Sequence, residues 1–251
     1  MKTLHVYGCS LTRGCEISAP YQADPDPQHV NSTWGAVLAH KLNLKPNILA
    51  VDGSSVRDAA WVAVQNMQQH PQDIHCIGWT FAGRINYWYP QPSAGQMSVS
   101  EAYCLDPDTD AHSVHKYPWI KRTYMQHADW RESIQNYLQC WSWTQHTATA
   151  LNVQLHHVQI GNTGLETQLG RDWSNHWRPP HEEWNSTTLR NNSIYQHYQS
   201  THIVCRDVGL WHTSDQQDYK RVKWFNNMHW NTQGHAWVAQ EVFASLNEPY
   251  C

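Results

Sequence analysis

The chain has 251 residues, a net charge of −4 with His neutral, and no basic run or tail. That length suits one α/β domain with a real core, and the charge balance excludes the footprint of a nucleic-acid binder. No apolar stretch approaches the roughly 20 residues that a membrane-spanning helix needs.

The first strand is predicted over residues 3–8, where Leu4 to Tyr7 form an apolar run. It ends at Gly8, whose missing Cβ permits a sharp bend, and Ser10 follows on the turn. Residues 15–32 carry Pro20, Pro25 and Pro27 and read as a loop. Ser32 or Thr33 is placed to cap a helix over Trp34 to Leu42, which Pro46 stops. Asn47 to Val51 reads as the second strand. Ser54 or Ser55 then caps a helix from Val56 to Gln69, and Ile74 to Trp79 is the third strand. Strands alternating with helices predict right-handed crossovers and a parallel sheet.

Residues 81–126 read as a long irregular region carrying Tyr87, Trp88, Tyr89, Tyr103, Tyr117, Trp119 and Tyr124. A helix is predicted from about Ala128 to Ala150 and a strand from Val153 to Ile160, closed by Gly161 and Gly164. Residues 165–182 are loop-like and contain Pro179 and Pro180. A weak helix over Glu183 to about Gln199 precedes a short fifth strand near Ile203 to Val208. Residues 211–228 read as polar loop, and the last helix as Thr232 to Leu246. No internal repeat or second boundary shows, so the expectation is a single domain, 1–251, with loop insertions at about 81–126 and 161–182.

Ser10 sits at the carboxyl end of a first strand, where open α/β sheets place their ligands. A helix starting there aims its free N–H groups at whatever Ser10 attacks. Its bland alternative is a helix N-cap. His229 lies in Asn226 to His235, just before the last helix. A Ser and a His meeting at the rim of one sheet supply what nucleophilic acyl transfer needs, because the imidazole accepts the hydroxyl proton.

These two ends resemble the first and last blocks of the SGNH (GDSL-type) hydrolases, which open with Gly-Asp-Ser and close with Asp-x-x-His. Here the opening reads Gly8-Cys9-Ser10-Leu11-Thr12, and the close reads Asn226-x-x-His229 with Asn231, Gly234 and His235 in register. The segment Asn47 to Ser55 resembles the block whose glycine, here Gly53, gives a backbone N–H to the oxyanion. Ile77-Gly78-Trp79-Thr80 lies where the family has Gly-x-Asn-Asp. The resemblance implies a three-layer sandwich around a five-stranded parallel sheet of flavodoxin-like order 2-1-3-4-5. It also implies Ser10 as nucleophile, His229 as general base, and Gly53 and Thr80 at the oxyanion.

Three polar positions depart from the family pattern. Cys9 stands for an Asp that is mostly structural, and a thiol nucleophile there is the rarer alternative to an inert buried Cys. Thr80 replaces an Asn amide, for which Arg84 or Asn86 on the following loop is a substitute. Asn226 replaces the Asp that orients the imidazole, a task open to Asp207, Asp215, Asp218 or a backbone carbonyl. His235 reads as a structural residue of the last helix.

Seven scattered Cys, at 9, 15, 76, 104, 140, 205 and 251, read as reduced thiols and not as a zinc ribbon. His156 and His157 are adjacent on a strand and point to opposite faces. No His-x-x-x-His with acidic support appears, so neither a metal nor a cofactor is expected. Fifteen Trp are many; Trp is ordinary core material and also stacks on sugars.

Two functions follow. One is an esterase acting on small-molecule or glycan esters, O-acetyl carbohydrate among them. The other is an SGNH scaffold with little catalysis, serving as a carbohydrate-binding or structural component. SGNH-like proteins with Gly-Cys-Ser openings look similar to ones encoded by phages, which makes virion assembly or a homo-oligomer a context. Neither a signal peptide nor a membrane partner is read from the sequence, so the expected location is the cytoplasm or a virion.

Overall fold

The computed structural model describes residues 1–15, 17, 29–52, 54–80, 85–88, 96–99, 130–160, 193–200, 203–204, 225–226 and 229–247. In chain order the elements are β1 (Thr3–Tyr7), α1 (Ser10–Arg13), α2 (Trp34–Lys41), β2 (Lys45–Ile48), α3 (Val56–Gln69) and β3 (Ile74–Trp79). There follow β4 (Ile85–Trp88), β5 (Gln96–Val99), α4 (Trp130–Ala150), β6 (Gln154–Gln159) and α5 (Ser193–Ser200). The last are β7 (Ile203–Val204), β8 (Phe225–Asn226), β9 (His229–Trp230) and α6 (Thr232–Asn247).

Five strands form one sheet in the order β2-β1-β3-β6-β7, with every pair parallel. Counted within that sheet, the order is 2-1-3-4-5. Side chains alternate across it, as strand geometry requires. Leu4, Val6, Cys76 and Val158 pack with Trp34, Leu38, Val238 and Val242 of α2 and α6. Tyr7, Ile77 and Trp79 pack on the other face with α3 and α4, where Ala59, Ala60 and Ala63 let α3 approach closely. The result is an α/β sandwich of three layers. Among the described residues, no helix is long and apolar enough to cross a membrane.

The Trp excess divides by location. Trp34, Trp79, Trp141 and Trp230 are fully buried core, whereas Trp61 and Trp143 are exposed neighbours on α3 and α4 with ring centroids 5.8 Å apart.

Ser55 caps α3 through a reciprocal box. Its Oγ accepts the Asp58 N–H at 3.3 Å, and its own N–H donates to Asp58 Oδ2 at 3.0 Å. At α2 Thr33 is the N-cap residue, but its side chain makes no cap bond, because its hydroxyl donates back to the Val30 carbonyl. The Trp34 N–H instead donates to Nδ1 of His235, 201 positions away. Nor does Pro46 stop α2. The helix closes at Leu42 and Asn43, where Asn43 takes φ 56°, and Leu44 N–H bonds back to the Ala39 carbonyl at 2.8 Å. Pro46 lies inside β2, which tolerates it as an edge strand.

Two short antiparallel pairs depart from the loops expected from sequence. β4 pairs with β5 inside 81–126, and β8 pairs with β9 across the end of 211–228. A two-residue strand is too short to show any periodicity.

Candidate active site

Gly8 makes the turn out of β1. Its φ is +155°, and a Cβ there would strike the Thr12 side chain and stand 2.9 Å from the Gly78 carbonyl oxygen. A Cβ on Gly78 in turn would collide with Ile160 and reach Thr12 Oγ1 at 2.7 Å. Two glycines on neighbouring strands therefore let α1 fold down against β3. Beyond the formal end of β1, Leu49 N–H still bonds to the Val6 carbonyl at 2.8 Å and Val51 N–H to the Gly8 carbonyl at 3.0 Å. The chain just before residue 53 is thereby held alongside the same turn.

Cys9 is fully buried and is the N-cap residue of α1. Its carbonyl accepts the N–H groups of Thr12 and Arg13, each at 2.9 Å. Ser10 is the first residue of α1, whose N-terminal N–H groups have no acceptor within the helix. Gly14, at φ 91°, ends the turn with its N–H on the Ser10 carbonyl. Ser10 is thus locked at the carboxyl end of the sheet and is 4 % exposed.

His229 arrives from the other end of the chain. Trp230, its neighbour on β9, is fully buried, and Asn231 Oδ1 caps α6 by accepting the N–H groups of Gln233 at 3.0 Å and Gly234 at 3.1 Å. These anchors bring His229 Nε2 to 2.8 Å from Ser10 Oγ. At that distance the imidazole can accept the serine proton directly.

Thr80 follows β3 at the same edge of the sheet. It is 1 % exposed, and its hydroxyl has no hydrogen-bond partner among the described residues. Leaving a buried hydroxyl unpaired costs about 1–3 kcal/mol, and Thr12 Oγ1 is in the same state. A cavity of about 390 Å³ is lined by Arg13 of α1 with Val30, Thr33, Ile48, Ala50 and Val51, and Ser10, Thr80 and His229 are not among its lining residues.

His235 takes no part in this edge. It is fully buried, its Nδ1 is occupied by the Trp34 N–H, and its ring meets Trp230 edge-on at 5.7 Å. Burial, with a smaller push from His229, holds its pKa down at about 3, so it stays neutral. Burial likewise pushes the Cys140 thiol up to about 11 and keeps it unreactive.

Of the other residues singled out from sequence, Asn226 lies on β8 and is the register partner of His229. Asn86 lies on β4, paired with Ser98. Gly53, Arg84, Asp207, Asp215 and Asp218 lie outside the described residues. Sequence reasoning missed the part played by Gly78 and Thr12, although a glycine inside a strand is a known sign of close backbone approach.

No family model and no curated protein matches the chain. Solved structures do. A lipolytic protein of the G-D-S-L family from Desulfitobacterium hafniense is similar over 98 % of this chain and 99 % of its own, with 9 % identity and a TM-score of 0.49. The psychrotrophic esterase EstA of Pseudoalteromonas sp. is similar over 98 % and 97 %, with 10 % identity and a TM-score of 0.48. A family 2 carbohydrate esterase from Corynascus thermopiles is similar over 98 % and 67 %, with 12 % identity and a TM-score of 0.46. Lipolytic proteins of the G-D-S-L family and esterases are thus among the structures this chain is similar to.

Proposed function

We propose that this chain is a serine ester hydrolase of the SGNH type. The observation that carries the reading is the 2.8 Å hydrogen bond between Ser10 Oγ and His229 Nε2. His229 takes the serine proton as the oxygen attacks the acyl carbon. The same proton passes to the departing alcohol, leaving an acyl-Ser10 ester. Water, deprotonated by His229, then cleaves that ester and restores the pair.

The N–H groups of Ser10 and Gly53 and the Thr80 hydroxyl hold the negative oxygen of the tetrahedral intermediates. The unpartnered state of Thr80 supports that role. Arg84 and Asn86 are further donors for that charge. Asn226 is the first candidate to orient the imidazole, given its register with His229, and Asp215 and Asp218 are the others. Substrates are small acyl esters, O-acetyl carbohydrates included.

The test is hydrolysis of p-nitrophenyl acetate and of acetylated sugars by the protein and by Ser10→Ala. Removing a nucleophile that acts with its base costs up to ~10⁶ in turnover, so the variant should lose all measurable activity above background. A phosphonate probe should label Ser10 and nothing in the variant. Equal hydrolysis by both proteins would overturn the mechanism.

A further inference from the structure

The opposite, amino-terminal end of the sheet gathers a second group of polar side chains. His5 comes from β1, His70 ends α3, and Asp73 immediately precedes β3. One ring nitrogen of each histidine and one carboxylate oxygen of Asp73 all lie within 4.8 Å of one another. His5 and Asp73 are the closest pair, with Nε2 3.0 Å from Oδ2.

Asp73 and His5 are held by neighbours, and the His70 ring stacks on His5 with centroids 5.1 Å apart. Asp73 Oδ1 accepts the Thr3 N–H at 3.0 Å, which fixes the carboxylate and leaves Oδ2 toward His5. The other nitrogen of His5, Nδ1, lies 2.9 Å from the Asn47 side-chain amide. The Asn47 Nδ2–H donates to Nδ1, which fixes the ring and puts the proton of His5 on Nε2, from which an ion displaces it on binding. His75 forms a rigid wall behind. Its Nε2–H donates to the His70 carbonyl at 3.0 Å, and its Nδ1 accepts from the Tyr7 hydroxyl at 2.7 Å, so neither nitrogen is available to a metal. Its ring stacks on His5 at 4.9 Å.

From this geometry we propose that His5, His70 and Asp73 bind a divalent transition metal ion of the zinc class. Tetrahedral bonds of about 2.0–2.1 Å separate donor atoms by roughly 3.4 Å. The His5–Asp73 pair is already near that spacing. His70 is exposed and lies against His5, and rotation of its ring there closes the remaining gap. Two imidazoles and one carboxylate are a donor set that suits zinc, and solvent completes the fourth position. The ion ties β1 to the turn between α3 and β3, at the end of the sheet away from Ser10. Its role is structural, and it is independent of the reaction at the other edge.

The test uses the full chain stripped with a chelator and titrated with Co²⁺ and Zn²⁺, in parallel with His70→Ala and Asp73→Asn. Co²⁺ should give tetrahedral d–d absorption, and Zn²⁺ should raise the unfolding temperature. Both variants should bind at least about tenfold more weakly, since even outer-shell losses reach that size. His70 is exposed, so its replacement leaves the fold intact and keeps the comparison clean. The chain has 18 histidines, and the difference between protein and variant isolates this site from the others. Equal affinity, stoichiometry and thermal shift in all three proteins would overturn the proposal, as would no uptake by the parent.

Discussion

Asn226 and His229 are register partners across the β8–β9 pair, three positions apart in sequence and opposite one another in the ladder. A carboxylate beside the far nitrogen of a catalytic imidazole holds its tautomer and stabilises the imidazolium, whereas an amide does the first poorly and the second not at all. The equivalent loss in a serine protease costs ~10⁴ in turnover. Asn226→Asp is therefore expected to raise kcat on p-nitrophenyl acetate by at least about tenfold with little change in KM. An unchanged kcat in a folded variant would assign the orienting task to Asp215, Asp218 or a backbone carbonyl.

Thr80→Val separates a catalytic hydroxyl from a merely buried one. If Thr80 donates to the oxyanion, kcat falls about 10²–10³-fold. Stability should hold or rise, because a nearly isosteric methyl replaces a hydroxyl that has no partner among the described residues. Steady-state kinetics and urea unfolding on one preparation read both signs. Lost stability with full activity would count against the assignment.

Gly8→Ala should damage both fold and site. The backbone there sits at φ +155°, and the new methyl would press on Thr12 and the Gly78 carbonyl. The backbone conformation alone costs about 1–3 kcal/mol in a residue other than glycine. Urea denaturation should show that loss, and acyl transfer should fall with it because α1 can no longer lie flat on β3.

Stability should drop in mild acid. Burial holds the pKa of His75 at about 4 and those of His157 and His235 at about 3. The unfolded chain protonates these rings near pH 6.5 while the folded one leaves them neutral. Below that pH the unfolded state binds more protons, so stability is full above pH 6.5 and is lost progressively as the pH falls toward 4 and 3. His157 cannot protonate without breaking its bond from the Trp79 indole N–H at 2.9 Å. Urea unfolding at pH 7 and pH 5 should give a lower midpoint at pH 5; equal midpoints would contradict the burial effect.

The first half of the fold was legible because its signals are local. The strand runs of five or six residues and the Ser55–Asp58 box that opens the helix Val56–Gln69 each fit within one strand or one turn. The strand order came from the resemblance of whole blocks, not from any pattern within them. Illegible features depend on distance along the chain. The cap of α2 is a histidine 201 positions away. His5, His70 and Asp73 are brought together by strand register, and nothing in their spacing resembles a metal motif. Ser10 and His229 were named from the ends of the chain, but their contact is a property of β9 and α6 packing against α1.

The proton donor and acceptor of that contact are 219 positions apart. During synthesis the hydroxyl emerges 219 residues ahead of its imidazole. A nascent or shortened chain lacking β9 therefore holds Ser10 without this partner, and the pair forms only once β9 and the helix that braces it have been delivered.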